Sequence, residues 1–168
     1  TSQDGRKYRR PMFADHFTVT TMERDRNGDF VPDKAIMEQV GQNCKELDVM
    51  LLWDDIDLNL VRYLGYYKGS KLYCRGNGEI ASRMVDEQKP MGDRRQLACP
   101  CEFLQKDEKG RTRCGEHGVL SLMLPSVSSR IGGVYTFRTG SGNTIRSIEA
   151  SLMSIKALTG GLLARIPL

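Results

Sequence analysis

No stretch of this 168-residue chain stays apolar for the roughly 18–20 residues that a membrane-spanning helix needs. No basic-then-apolar leader opens it, and it holds no internal repeat and no low-complexity tract. It also lacks a Walker phosphate loop, and Gly76-Asn77-Gly78 is not a dinucleotide fingerprint. Histidine is scarce, with only His16 and His117. These absences argue against a helical membrane protein and a nucleotide-dependent motor. They also disfavour a hydrolase built on clustered histidines. The expectation is a cytoplasmic protein with no membrane partner. Both ends read as cut, since the chain starts at Thr1 and stops at Ile166-Pro167-Leu168.

What is present is an uneven charge distribution. The net charge is +4, yet residues 1–60 hold 8 Lys/Arg against 12 Asp/Glu, a net of −4. Residues 61–168 hold 17 against 9, a net of +8. A basic half beside an acidic half points to a phosphate-bearing partner, met directly or inside a complex, although a mixed solvated surface reads the same way.

Hydrophobic periodicity outlines the fold. Residues 1–12 are polar and basic, and read as an arm; residues 13–168 read as one α+β domain. Phe17, Val19 and Thr21 alternate with polar residues as in a strand, and Asp25–Asp29 reads as a turn. Ile36, Met37 and Val40 give a short helix one apolar face, opened near Pro32 and stopped at Gly41. Leu47–Trp53 suits a buried strand, and Tyr63–Tyr73 is extended but broken at Lys68-Gly69-Ser70. Val119–Leu124 and Val134–Phe137 are strand-like. Ile145, Ile148, Leu152 and Ile155 mark a helix over about 143–158, capped by Ser141 or Asn143 and ended by Gly160-Gly161. The order predicts an antiparallel sheet with two helices in a ferredoxin-like layout, interrupted by a cysteine-bearing insert at about 74–117.

That insert carries the most specific chemistry. Cys74, Cys99, Cys101 and Cys114 are spaced to hold one zinc ion, and five cysteines without a secretory leader favour metal over disulfides. Ligand sulfurs on one zinc sit roughly 3.8 Å apart, given bonds of about 2.3 Å. Residues i and i+2 of a flat strand lie about 7 Å apart, so Cys99 and Cys101 need a bend, which Pro100 favours. From Cys101 the chain runs to the Lys109-Gly110 turn and back to Cys114 as a hairpin, while Gly76 and Gly78 permit a tight turn after Cys74. His117 is expected beside the metal, touching the ligands; the alternative is that it replaces Cys74 or Cys99. Ordinary buried thiols and an iron–sulfur cluster are the other readings. Cys44 reads as a lone thiol.

Arg94, Arg95, Arg111 and Arg113 flank the cysteines and suit phosphates or an acidic protein face. Arg75, Arg138 and Arg146 join them as candidate contacts; Arg146 lies at the positive end of its helix, where something else must hold it. Phe17, Tyr135 and Phe137 are candidate base-stacking residues or, equally, core. Asp54, Asp55 and Asp57 follow a strand end, and Asp15-His16 is a candidate acid–base pair. Together these define a hydrolase alternative, though an acidic loop cap accounts for the three aspartates more simply.

Tyr73–Glu79, the Cys-Pro-Cys segment, Thr136–Ser141 with Asn143-Thr144-Ile145, and Leu158-Thr159-Gly160-Gly161 together resemble the recombination directionality factors of large serine integrases and their mobile-element relatives. The resemblance covers roughly residues 13–168. It implies a non-enzymatic phage accessory protein that binds a serine integrase on DNA and turns it from integration to excision. It also implies a metal role for Cys74, Cys99, Cys101 and Cys114. The alternative from the basic half and strand aromatics is a single-stranded nucleic-acid-binding protein, of a phage or of a defence system.

Overall fold

A computed structural model describes residues 15–68, 71–85, 92–108, 110–127 and 133–168. The expected basic arm at 1–12, and the turn residues Gly69, Ser70 and Lys109, lie outside the described residues. The chain divides into two compact units, Thr1–Asp48 with Leu124–Ile131, and Val49–Met123 with Gly132–Leu168.

In the first unit, strands β1 (Thr20–Arg24) and β2 (Phe30–Pro32) form an antiparallel hairpin. The expected turn between them forms because the Asp25 carboxylate accepts the backbone N–H groups of Asn27 and Asp29 at 2.8 and 2.9 Å. Helix α1 (Lys34–Val40) is capped by Asp33, whose side chain accepts from the Ile36 N–H, and stops at Gly41. Pro32 therefore ends β2 instead of opening the helix. The helix packs against the 3₁₀ turn Pro125–Val127, and Ile36, Met37, Leu124 and Val127 are buried.

The second unit is built on a six-stranded sheet: β3 (Leu60–Lys68), β4 (Lys71–Gly76), β5 (Ile80–Met84), β6 (Arg94–Ala98), β7 (Gly115–Leu122) and β8 (Tyr135–Thr139). Their order is β6-β5-β4-β3-β7-β8, with every neighbouring pair antiparallel. Two helices complete the unit, the single turn α2 (Ile56–Asn59) and the long α3 (Gly142–Leu158). As expected, α3 is capped by Ser141 and buries Ile145 and Leu152. With Leu51, Leu60 and Leu163 these form the core, and Ile56, Leu120, Ile148 and Ile155 pack against it. Gly118 lets the helix approach β7, since a Cβ there would lie 2.8 Å from Ile145 Cγ1.

The α+β class and antiparallel sheet are as expected, but the ferredoxin-like layout is replaced by this six-strand order, with three α-helices among the described residues. Two local causes account for the change. Leu47–Trp53 makes only isolated bridges, Met50 with Met123 and Pro167 and Leu51 with Ala164. The fully buried Asn59 amide acts in place of a strand neighbour: Oδ1 accepts from Leu52 and Trp53 N–H, and Nδ2 donates to the Trp53 and Asp55 carbonyls at 2.6 and 2.8 Å. Residues 74–117, in turn, supply the end of β4, all of β5 and β6 and the start of β7, so they extend the sheet. Their strands are too polar for apolar alternation to reveal them.

Candidate functional site

Strand alternation gives the sheet two faces with different chemistry. Leu60, Leu64, Tyr66 and Cys74 lie on the face that carries α3, because Leu60 pairs with Leu120 and Tyr66 with Cys74. Tyr63, Gly65, Arg75, His117 and Arg138 lie on the opposite face.

The four cysteines of the second half gather at one end of the α3 face. Cys74 is buried in β4, packed with Ala81 and Cys99 and against Leu64, Tyr66, Tyr73 and Leu97. Cys99 follows β6, donates its N–H to Glu79 O at 2.8 Å and is joined to Pro100 by a cis peptide bond. From Cys101 the chain makes a 3₁₀ turn (Glu102–Leu104) and returns, so that the Phe103 carbonyl accepts both Arg113 and Cys114 N–H groups at 3.1 and 2.9 Å. The chain thus returns to Cys114 through a 3₁₀ turn and loop instead of the expected hairpin, and buried Cys114 directly precedes β7. Burial pushes the Cys114 thiol up to about 11, and the charges of Cys74, Cys101 and Cys99 push in the same direction against Arg83. None of the four is in a disulfide.

Arg83 on β5 is the cation of this cluster, and periodicity did not single it out. It is 6% exposed, donates to Cys101 Sγ and Glu102 Oε1 at 2.9 Å each, and stacks 4.2 Å from the Phe103 ring centre. Burial opposes its charge, but hydrogen bonds to Glu102 and Cys74 and the nearby Cys101 outweigh that and hold it protonated. Its Nε is buried without a hydrogen-bond partner. Glu102 is held below the usual carboxylate range by Arg83.

Soft thiol donors, three of them buried, beside a fixed cation suit a thiophilic metal such as zinc. Gly76 is part of the fit: Cys99 Sγ lies 2.6 Å from where its Cβ would be. Among the described residues, however, no three Cys, His, Asp or Glu side chains form a set already arranged around an ion. Cys44 is separate, its thiol donating to Glu46 O at 2.7 Å.

His117 is placed differently from expectation. It pairs across the strands with Tyr63 on the face opposite Cys74, because β7 turns alternate side chains to opposite sides. Its ring stacks on Tyr63 at 5.4 Å and 19°, and meets Tyr67 at 5.0 Å. Burial holds its pKa below the ordinary histidine value against a hydrogen bond with the Gly65 backbone. Tyr63 and Tyr67 hydroxyls share a 2.7 Å hydrogen bond, and burial with that bond pushes Tyr67 up to about 12.

The predicted arginines do not form one surface. Arg75 lies 4.6 Å over the Tyr63 ring, and Arg138 acts on Tyr67 from β8, both on the His117 face. Arg94 is on that face too, donating to Ser82 Oγ at 3.0 Å. Arg95 pairs across the strands with Arg83. Arg111 bridges Asp107 at 3.2 Å, and Arg113 sits 5.9 Å from the Phe103 ring. Arg146 is held at the start of α3 by Asn143 Oδ1 at 2.9 Å and Glu116 at 3.5 Å. Of the aromatics named from sequence, Phe137 faces α3 in register with Leu120. Tyr63 and Tyr67 were missed because an apolar extended run does not show which side each residue takes.

The aspartates of the hydrolase alternative serve the backbone. Asp54 accepts from the Leu163 and Ala164 N–H groups at 2.7 and 2.8 Å, which holds its carboxyl below its ordinary value. Asp55 caps α2, and Asp57 pairs with Arg62 at 3.3 Å. In the first unit, half-buried His16 and exposed Asp15 form a 2.6 Å contact, which lowers the Asp15 pKa. Among the described residues no helix is long and apolar enough to cross a membrane.

Residues 1–168 match the protein family described as Gp3-like: Recombination directionality factor-like. No curated protein and no solved structure matches the chain.

Proposed function

Because the chain belongs to the Gp3-like, recombination directionality factor-like family, we propose that it is a non-enzymatic accessory protein of DNA recombination that binds a serine integrase on DNA and favours excision. The family match over the whole chain carries this reading. The basic second half, with Arg111 and Arg113 displayed on the exposed loop beside the cysteines, supports it. Such a factor biases direction only by as much as it binds one arrangement of the DNA-bound recombinase better than the other. A tenfold bias corresponds to about 1.4 kcal/mol of differential binding, which a few charge-assisted contacts supply.

Zinc held by Cys74, Cys99, Cys101 and Cys114 is part of the proposal. Cys74 on β4, Cys99 and Cys101 at the bend and Cys114 before β7 would hold the ion, and binding there would tie these segments together. Four thiolates around a divalent cation carry a net charge of about −2, and Arg83 offsets part of it through its N–H···S contact. The ion's role here is to hold the 101–114 loop, and with it Arg111 and Arg113, in one arrangement.

The test is a pair of recombination reactions, integrative and excisive, run with the serine integrase encoded on the same element. Added protein should stimulate excision and depress integration. Arg111→Glu with Arg113→Glu should weaken integrase binding while folding and zinc content persist. An unchanged direction of recombination overturns the proposal. A double variant that binds and acts like the parent places the partner surface elsewhere.

A further inference from the structure

We infer that the sheet face opposite α3 binds single-stranded DNA, with Tyr63 and His117 as the stacking platform and Arg75 and Arg138 as phosphate contacts. The choice of DNA over RNA rests on the recombination reading; the site itself stands on four observations.

The first is charge. Among the strands of the sheet the only carboxylate is Glu116, and it pairs with Leu64 on the α3 face. The opposite face carries Arg75, Arg94 and Arg138, all exposed, so its field is of one sign. Among the described residues neither Arg75 nor Arg138 is in an ion pair, and Arg75, whose guanidinium lies 4.6 Å over the Tyr63 ring, keeps its in-plane N–H groups for an outside anion as Arg138 does.

The second is the aromatic arrangement. Tyr63 and His117 are stacked and half-buried, and the Tyr67 hydroxyl fixes the Tyr63 ring. A base has a π-face that continues such a stack regardless of its identity. Third, Gly65 makes room beneath the rings, since a Cβ there would lie 2.8 Å from His117 Cδ2 and 3.0 Å from Tyr63 Cε2.

The fourth is shape. Two hollows meet at Tyr63, one of about 400 Å³ lined by Arg75, Ser82 and Gln96, the other of about 150 Å³ lined by His117, Tyr67 and Arg138. A base seated against the Tyr63–His117 stack thus has a guanidinium on each side for the flanking phosphates. Base pairing would keep a duplex from offering that free π-face, so the face fits an unpaired strand.

The experiment is fluorescence anisotropy of a labelled oligothymidylate of about 20 nucleotides with the full chain and no integrase. Duplex DNA and oligouridylate of the same length run alongside. Binding of the single strand is expected, weakening as salt rises. Tyr63→Ala should weaken it about 5- to 150-fold, the range for loss of one base stack. Arg138→Gln, an exposed change that spares the rings, should reduce the salt slope by about 1, whereas Lys156→Gln, in the last turn of α3 on the other side of the sheet, should leave affinity unchanged. Circular dichroism checks that each variant is folded, and Arg138→Gln keeps the inference testable if Tyr63→Ala is not. No binding at low salt, equal or tighter binding of duplex or RNA, or an Arg138→Gln protein that binds like the parent overturns it. So does loss of integrase binding in Arg138→Gln without any oligonucleotide affinity in the parent, which would make this face a protein interface. The recombination reactions are read separately: excision without oligonucleotide binding removes this inference and keeps the integrase reading, and the reverse result does the opposite.

Discussion

The sulfur of Cys99 takes the space that a β-carbon on Gly76 would need, with only 2.6 Å between Sγ and that position. The Ala81 methyl is 3.1 Å from the same point, so the pocket is closed on two sides. Gly76→Ala must therefore displace Cys99 or part β4 from β5. The expected cost is about 1–3 kcal/mol, as for other overpacked sites, together with a lower metal content. Chemical denaturation and elemental analysis measure the two effects, and a variant unchanged in both would show that the thiol cluster yields freely.

Zinc content separates the roles of the cysteines. The parent should carry about one zinc per chain after chelator-free purification. Cys114→Ser should lose it and expose the loop from 101 to 114 to proteolysis, because the strand start that the Phe103 carbonyl holds is then tied by backbone bonds alone. Cys44→Ser should keep it, since the Cys44 thiol is engaged with the Glu46 carbonyl. Metal-free parent protein would refute zinc ligation, and iron in its place would point to a cluster.

The α3 interface predicts a graded series. Ile145 is 4% exposed and seated over Gly118, whereas Met153 on the same helix is 58% exposed. Ile145→Ala should cost about 2–4 kcal/mol, and Ile148→Ala less, because Ile148 packs at the margin of the core. Met153→Ala should stay within about 0.5 kcal/mol of the parent. Equal costs for Ile145→Ala and Met153→Ala would mean that α3 is docked by another face.

His117 predicts a pH dependence. Its folded pKa lies below the ordinary value, mainly because it is partly buried. The unfolded chain therefore binds the proton more strongly. The neutral ring's contribution is complete above about pH 6.5 and is lost progressively as pH falls from there towards the folded pKa. Tyr63 and Tyr67 face the ring, and the hydrogen bond with the Gly65 backbone works against the shift. Denaturation midpoints of the parent should fall between about pH 7 and pH 5 more than those of His117→Phe. Parallel curves for the two proteins would assign the acid sensitivity to other groups.

Local order was readable without the fold. The cap at Ser141, the apolar stripe of α3 and the turn at Asp25–Asp29 each depend on residues within a few positions of one another, and they stand where the periodicity and capping rules put them. So does the loop that returns Cys114 towards Cys101, because its ends are close in sequence. Pairing partners and sheet faces were not readable, since both are set by strands distant in the chain. Ile80–Met84 and Arg94–Ala98 became strands by pairing with each other, although neither shows apolar alternation. His117 left the cysteines for Tyr63 because β3 and β7 meet in a register that puts those two residues opposite each other. Residue types and short spacings determined α1, α3, the Asp25–Asp29 turn and the thiol inventory, but not α2, whose region reads from sequence as an acidic loop. Tertiary pairing alone decided that a basic aromatic face and a cysteine cluster occupy opposite sides of one sheet, because in a strand of period two a side chain's surroundings are chosen by the register of its neighbours.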